Sequence, residues 1–258
     1  MLLCKNICKV RNLIEMKNIV YGIILVLLVS LSTECLSAKG LPFTLGIRAG
    51  VNLSEQSINY DELFEGVCES SMSSKAGFQI GAVINMRLSE RVALQPGILW
   101  KTHAYDYFNA SIMNDGSYMK LSSGEARYHT IQIPMLVSYR IDVSVLEWQV
   151  DLGPYVAFGV GGNNKLETNE MSLTDVRQSV KSFRYNTDFY GDSDGNIIGN
   201  RNFDWGFKVG TGFNIRDKFY VGAHYNLGLR KLGKPHAKFL KKPSVWNRCL
   251  EFSLGYNF

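Results

Sequence analysis

The sequence predicts an all-β fold: an eight-stranded antiparallel up-and-down β-barrel that spans a membrane. Three observations carry it. Apolar and polar residues alternate over eight segments, the mark of strands with two unlike faces. The polar face of those segments is crowded with glycine and charge, while the apolar face is large and aromatic. The connections alternate between tight turns and long polar stretches. Composition agrees: of 258 residues 46% are apolar and 12% aromatic, which excludes a disordered chain. A net charge of +5 is too small to argue for nucleic acid, and no nucleic-acid motif accompanies it.

The N-terminus reads as a targeting segment. Residues 19–31, IVYGIILVLLVSL, are apolar; Lys17 precedes them and the small-residue site Leu36-Ser37-Ala38 follows. A basic start, a short apolar run and a cleavable site make a secretory signal peptide. The run falls short of the roughly 20 residues of a membrane helix. Residues 1–38 are therefore expected to be the signal peptide and 39–258 the barrel domain. Met16-Lys17-Asn18 makes a natural start for such a peptide, so the residues before Met16 read as an over-extended start. Glu34, ahead of Cys35, stands where a lipoprotein signal needs a small residue.

The strands follow in order. Phe43, Leu45, Ile47, Ala49, Val51 and Leu53 face one way, against Gly46, Arg48, Gly50 and Asn52. Phe78 to Leu88 repeats this against Gln79, Gly81, Asn85 and Arg87. Val92, Leu94, Ile98 and Trp100 oppose Gln95, Gly97 and Lys101, and Ile131 to Tyr139 oppose Gln132, Ser138 and Arg140. In the second half Leu146, Trp148, Val150, Leu152, Val156 and Phe158 oppose Glu147, Gln149, Asp151 and Gly153. Phe203 to Phe213 oppose Asp204, Gly206, Lys208, Gly210 and Gly212. Phe219 to Leu229 oppose Tyr220, Gly222, His224, Asn226 and Arg230. Last, Leu250, Phe252, Leu254, Tyr256 and Phe258 oppose Glu251, Ser253, Gly255 and Asn257.

A soluble sandwich would give the same alternation but has little reason to place glycine repeatedly on its water face. In a narrow barrel that face is the cramped interior. Aromatics recur near strand ends, as interface girdles do. Ser89-Glu90, Asp142 to Val145 and Arg216-Asp217 are tight, whereas 54–75, 104–126, 161–200 and 231–247 are long and polar. Short turns on one side and long extracellular loops on the other match barrels of the bacterial outer membrane. Pro96, Pro134 and Pro154 fall inside strands, and each is expected at a bulge or an irregular register.

The stretches GFQIGAVINMRLSERVALQPGILW, IQIPMLVSYRI, DLGPYVAFGVGG, DWGFKVGTGFNI and FYVGAHYNLGLRKL, with the closing FSLGYNF, resemble the PorT-like, porin-like family of small outer-membrane β-barrels. The likeness runs from about residue 43 to 258 and is weak in the loops. It implies the fold and the location, prolines at positions the family also uses, and a terminal aromatic that the barrel-insertion machinery reads. It implies no single activity.

The candidate sites each have a plain alternative. The expected lumen carries Arg48, Arg87, Lys101, Arg140, Lys208 and Arg230 with Glu147, Asp151, Asp204 and Glu251. These suit either a selective pore or a self-neutralising network; eight strands leave room for side chains or one small ligand, which favours the network. The last loop holds Arg230, Lys231, Lys234, Lys238, Lys241, Lys242 and Arg248 and no acid. It suits lipopolysaccharide phosphates or is simply solvated. Acidic residues of the first loop are expected to lean toward it across the seam. Cys68 and Cys249 are expected either to bond in the oxidising periplasm or to stay as thiols. Residues 191–196 have the wrong spacing for a calcium loop, and no histidine shows ligand spacing. The expectation is thus a structural and binding scaffold without cofactor, metal or catalytic residue. Its partners are outer-membrane lipids, lipopolysaccharide, the insertion machinery and envelope or host proteins. A narrow channel or transport component is the alternative, and a lipid-modifying enzyme at the rim the third.

Overall fold

The structure, a computed structural model, describes residues 43–58, 67–112, 118–172, 180–193, 198–237 and 241–258. The expected signal peptide lies outside these residues. Among the described residues nine strands run in chain order: β1 (Phe43–Ser57), β2 (Val67–Arg87), β3 (Val92–Ile112), β4 (Tyr118–Val143), β5 (Leu146–Ser172), β6 (Val180–Asp188), β7 (Phe203–Ile215), β8 (Phe219–Gly228) and β9 (Trp246–Asn257). Eight of them close a ring, in which β4 pairs β5, β5 pairs β7, and β9 pairs both β8 and β1. All neighbours are antiparallel, as an even-numbered up-and-down ring requires. The expected seam forms between the first and last strands, from Gly46 opposite Asn257 to Ser57 opposite Trp246.

The two faces are inverted relative to a soluble protein. Leu254 is 63% exposed and Phe252 47%, whereas Asp151 and Glu251 are fully buried. Only an apolar solvent makes that arrangement favourable, since exposed apolar area in water costs about 25 cal/mol per Å². From Leu146 to Phe158, at ~3.3 Å per residue and a tilt of ~40°, β5 climbs roughly 30 Å, enough to cross a hydrocarbon core. Aromatic belts mark both ends of the band. Phe78, Trp100, Phe158 and Phe203 lie at the long-loop end, with Phe78 on Trp100 at 5.2 Å and Phe158 on Phe203 at 5.1 Å. Phe219, Tyr256 and Phe258 stand at the turn end, in contact at 5.5 and 5.3 Å.

The long polar stretches are more ordered than the alternation predicts. β2 to β5 do not stop at the band but continue well above it, and β6 adds to the outer part of β5, where Asn163 faces Asp188 and Met171 faces Val180. The result is a raised five-stranded sheet on one side of the ring. β1, β7, β8 and β9 end near the rim on the other.

The prolines depart from expectation. Register shifts fall at Val67/Glu69, Lys75/Gln79 and His129/Thr130. At the prolines the register holds and the ladder simply skips pairs, between Pro96 and Leu99 on β3 and between Pro134 and Val137 on β4. A missing N–H removes a bond without adding a residue, so no bulge is needed.

Candidate functional site: a filled lumen and a basic outer rim

The inward residues of eight strands converge on the axis, where charge must be matched because water is scarce. Among the described residues four buried cations (Arg48, Lys101, Arg140 and Lys208) face four buried carboxylates (Glu147, Asp151, Asp204 and Glu251). Near the turns, Arg140 pairs Glu147 at 3.3 Å and Arg87 reaches Glu147 at 3.2 Å and Asp217 at 3.3 Å. Higher up, Asp151 accepts hydrogen bonds from Ser138 (2.5 Å) and Gln149 (2.9 Å), and His224 Nε2 lies 2.9 Å away. Glu251 sits between Lys101 and Lys208, the latter at 2.6 Å, and also takes the Asn226 amide. Asp204 accepts from Tyr155 and Asn247, both at 3.3 Å.

Interior glycines make this packing possible. A Cβ on Gly212 or Gly222 would run into the ring of Tyr220, and the Arg48 guanidinium lies over that same ring, 4.2 Å from its centroid. Asn257, the penultimate residue, ties the seam. It accepts from Arg48 at 2.8 Å and donates to Asn214 at 3.3 Å and to the Asp217 carbonyl at 3.2 Å.

Above the charges the lumen is roofed. Tyr105, Tyr107, Ala126, Tyr128, Leu166 and Phe189 form a buried cluster against which Met72, Tyr185 and Tyr190 pack. The segment after β6 and the segment after β8 lace together over it. Asn200 bridges Gly233, Arg201 N donates to Leu232 O at 2.9 Å, and Lys234 N to Gly199 O at 2.8 Å. Beneath the roof a void of about 20 Å³ remains, lined by Lys101, His103, Tyr155, Asp204 and Cys249 among others. That is room for a single water. Among the described residues, paired charged side chains and this aromatic cluster occupy the interior.

Several expected placements change. Arg230 is not in the lumen: β8 ends at Gly228, and the guanidinium lies over the outward ring of Phe203, 5.0 Å from its centroid. Arg87 is a lumen-mouth residue whose side chain is 45% exposed. Cys249 is a free, buried thiol, 3.4 Å from Ser54 Oγ. Ser54 pairs both Cys249 and Lys75, and Cys68 lies further out along β2, about 23 Å above Lys75 at ~3.3 Å per residue. A disulfide needs Cα atoms within about 7 Å, so the Cys68–Cys249 bond does not form. His103 contacts Ser54 Oγ at 2.6 Å and Thr130 at 3.0 Å, inside the lumen.

The basic loop divides. Lys234 Nζ donates to the carbonyls of Tyr190 and Gly191 at 2.8 Å each and reaches Asp192 at 3.4 Å, so it clamps the roof. Lys231 lies over Trp246 at 5.7 Å. Arg248 points outward above Leu250 and stands opposite Glu55 across the seam. Lys241 and Lys242 are exposed, and Lys238 lies outside the described residues. The acidic residues expected to lean across the seam, apart from Glu55 and Glu69, lie outside them as well.

The family of the outer membrane protein beta-barrel domain matches residues 33–233. The chain belongs to that family. This outer-membrane barrel therefore resides in the bacterial outer membrane, with its tight turns at the periplasmic end and its raised sheet outside. Among solved structures it is similar to Ail, the attachment invasion locus protein of Yersinia pestis (13% identity, TM-score 0.39, covering 84% of this chain and 99% of that one). It is also similar to OprG of Pseudomonas aeruginosa (10%, 0.36, 84% and 97%) and to Neisserial surface protein A (12%, 0.32, 83% and 97%). Among curated proteins none matches the sequence.

Proposed function

We propose that this outer-membrane barrel is a structural and binding scaffold whose outer rim holds the phosphate groups of neighbouring lipopolysaccharide. The observation that carries the proposal is the collar of Arg230, Lys231 and Arg248. All three stand on the short side of the ring, at the outer edge of the lipid-facing band, two of them propped on the aromatic rings of Phe203 and Trp246. Guanidinium and ammonium groups at that height meet the phosphates of outer-leaflet lipid, and charge-assisted hydrogen bonds there are strong. The paired charges and aromatic side chains that occupy the lumen among the described residues favour the scaffold over the channel and transport readings. Within the family, the likeness of the strand sequences quoted above favours the PorT-like, porin-like group.

The test is binding of lipid A to the folded protein in nanodiscs, followed by native mass spectrometry. Diphosphorylated lipid A is expected to bind more tightly than its dephosphorylated form. Binding should weaken with salt and fall about tenfold or more when Arg230, Lys231 and Arg248 are all changed to Gln. Equal binding of the two lipids, or no effect of the triple change, overturns the proposal.

A further inference from the structure

The outward face of the raised sheet carries a cleft of about 630 Å³, within the roughly 300–1,000 Å³ span of small-molecule sites. Its wall is built by ladder pairs: Asp106 faces Glu125, Glu125 faces Lys165, and Glu167 faces Arg184. The carboxylates are already neutralised. Lys75 reaches Asp106 at 2.8 Å and Glu125 at 3.3 Å, Arg127 holds Glu125 at 2.7 Å, and Arg184 holds Glu167 at 3.5 Å. A cleft whose acids and bases cancel has little net attraction for a phosphate or a metal ion. What it offers is a fixed array of planar acceptors and donors, with Ser73 and Ser123 beside them and Phe108 as an apolar patch. Vicinal hydroxyls and the C–H face of a sugar ring match that set.

Height names the sugar. The lowest ladder pair of the cleft, Asp106 and Glu125, lies six residues beyond the pair Trp100 and Ile131 on β3 and β4, roughly 15 Å above the outer edge of the lipid-facing band at ~3.3 Å per residue and a tilt of ~40°. In the outer leaflet that level is occupied by the saccharide of lipopolysaccharide, above its acyl chains. We propose that this cleft binds the oligosaccharide of a lipopolysaccharide molecule lodged against β2 to β5. The proposal extends the scaffold reading but uses different residues on the other side of the ring, so each can fail alone.

The probe is core oligosaccharide freed of acyl chains and phosphate, titrated against the folded chain in detergent and read by saturation-transfer NMR. Saturable binding is expected, persisting in high salt. Lys165→Ala and Phe108→Ala should each weaken it about tenfold, the loss expected for one charge-assisted hydrogen bond or one buried apolar contact. The Arg230, Lys231 and Arg248 changes should leave it intact. Heat-modifiable gel mobility checks that each variant is folded. Absence of saturable binding by the folded chain overturns the proposal, as does binding that neither cleft variant weakens. Lipid A binding that survives the cleft variants but not the collar variants leaves the phosphate reading standing by itself.

Discussion

The ring of Phe189 lies flat on that of Tyr128, with centroids 4.1 Å apart and planes within 1° of parallel. Tyr128 belongs to the barrel wall, and Phe189 to the segment that crosses above it. Phe189 is 1% exposed, and its backbone is held by Gly162 and Asn200. Phe189→Ala is therefore expected to cost about 3–5 kcal/mol in the roof, while the ring of eight strands keeps its heat-modifiable mobility. Hydrogen exchange across residues 185–202 reads the effect. Unchanged protection there would show that the hydrogen bonds alone hold the roof.

Glu251 is the shared counter-charge of Lys101 and Lys208. Glu251→Gln leaves two buried ammonium groups facing one another and should destabilise the folded barrel by about 3–5 kcal/mol in denaturant titrations. Replacing all three, as Lys101→Met, Lys208→Met and Glu251→Leu, should recover most of that loss, because the cost lies in the unmatched charge. A triple variant as unstable as the single one would contradict this account.

With the axis occupied from Arg87 to the aromatic roof, the pure refolded protein is expected to show no stable conductance in planar bilayers. A steady open level that ions share with Lys101 and Glu251 would require the network to part, and its observation would return the channel reading.

The wall of the barrel was legible because lipid and lumen impose opposite polarity on neighbouring residues: Leu250 to Phe258 and their partners Glu251 to Asn257 could be sorted from alternation alone. Above the band that contrast disappears. Asp106, Glu125 and Lys165 meet water on the outward face while Tyr105, Tyr107 and Tyr128 pack inside, and tyrosine reads as half polar. The strand extensions and β6 thus read as loops in the sequence. The alternation of Tyr105 and Tyr107 around Asp106 was the signal available for them. The role of Lys234 is hidden in the sequence for another reason. A charge run shows how many cations there are, but only the fold brings the carbonyls of Tyr190 and Gly191 to one of them.

Between β7 and β8, Arg216 and Asp217 have φ of 51° and 59°, and Lys218 N donates to Ile215 O at 3.2 Å. Ile215 faces Phe219, so three residues connect the strands, and two of them hold a left-handed backbone that strains residues with a Cβ. Asp217 also serves Arg87, so the change to make is at Arg216. Arg216→Gly is expected to stabilise the barrel by up to about 1 kcal/mol, the relief of strain exceeding the extra entropy of the unfolded chain. Denaturant midpoints of the two proteins decide it.

The charge pairs that line the outward cleft should titrate as a unit. Arg127, and then Lys75, hydrogen bond to Glu125 and hold its carboxyl below the ordinary glutamate value of 4.5. The hydrogen bond to Asp106 raises Lys75 above its ordinary 10.5. For the depressed acid, stabilisation is present above the unfolded value and is lost as pH falls through the lower folded one. For the raised base, it is present below 10.5 and lost as pH climbs through the higher folded one. The cluster should therefore be intact across the neutral range and come apart at both extremes. Carbon-detected NMR titration of Glu125 checks the first half: Arg127→Ala should move its midpoint upward, and Lys75→Ala should do so by less. A midpoint indifferent to Arg127 would mean that solvent screens the pair completely, and that the cleft's acids are free to draw cations rather than spent on their neighbours.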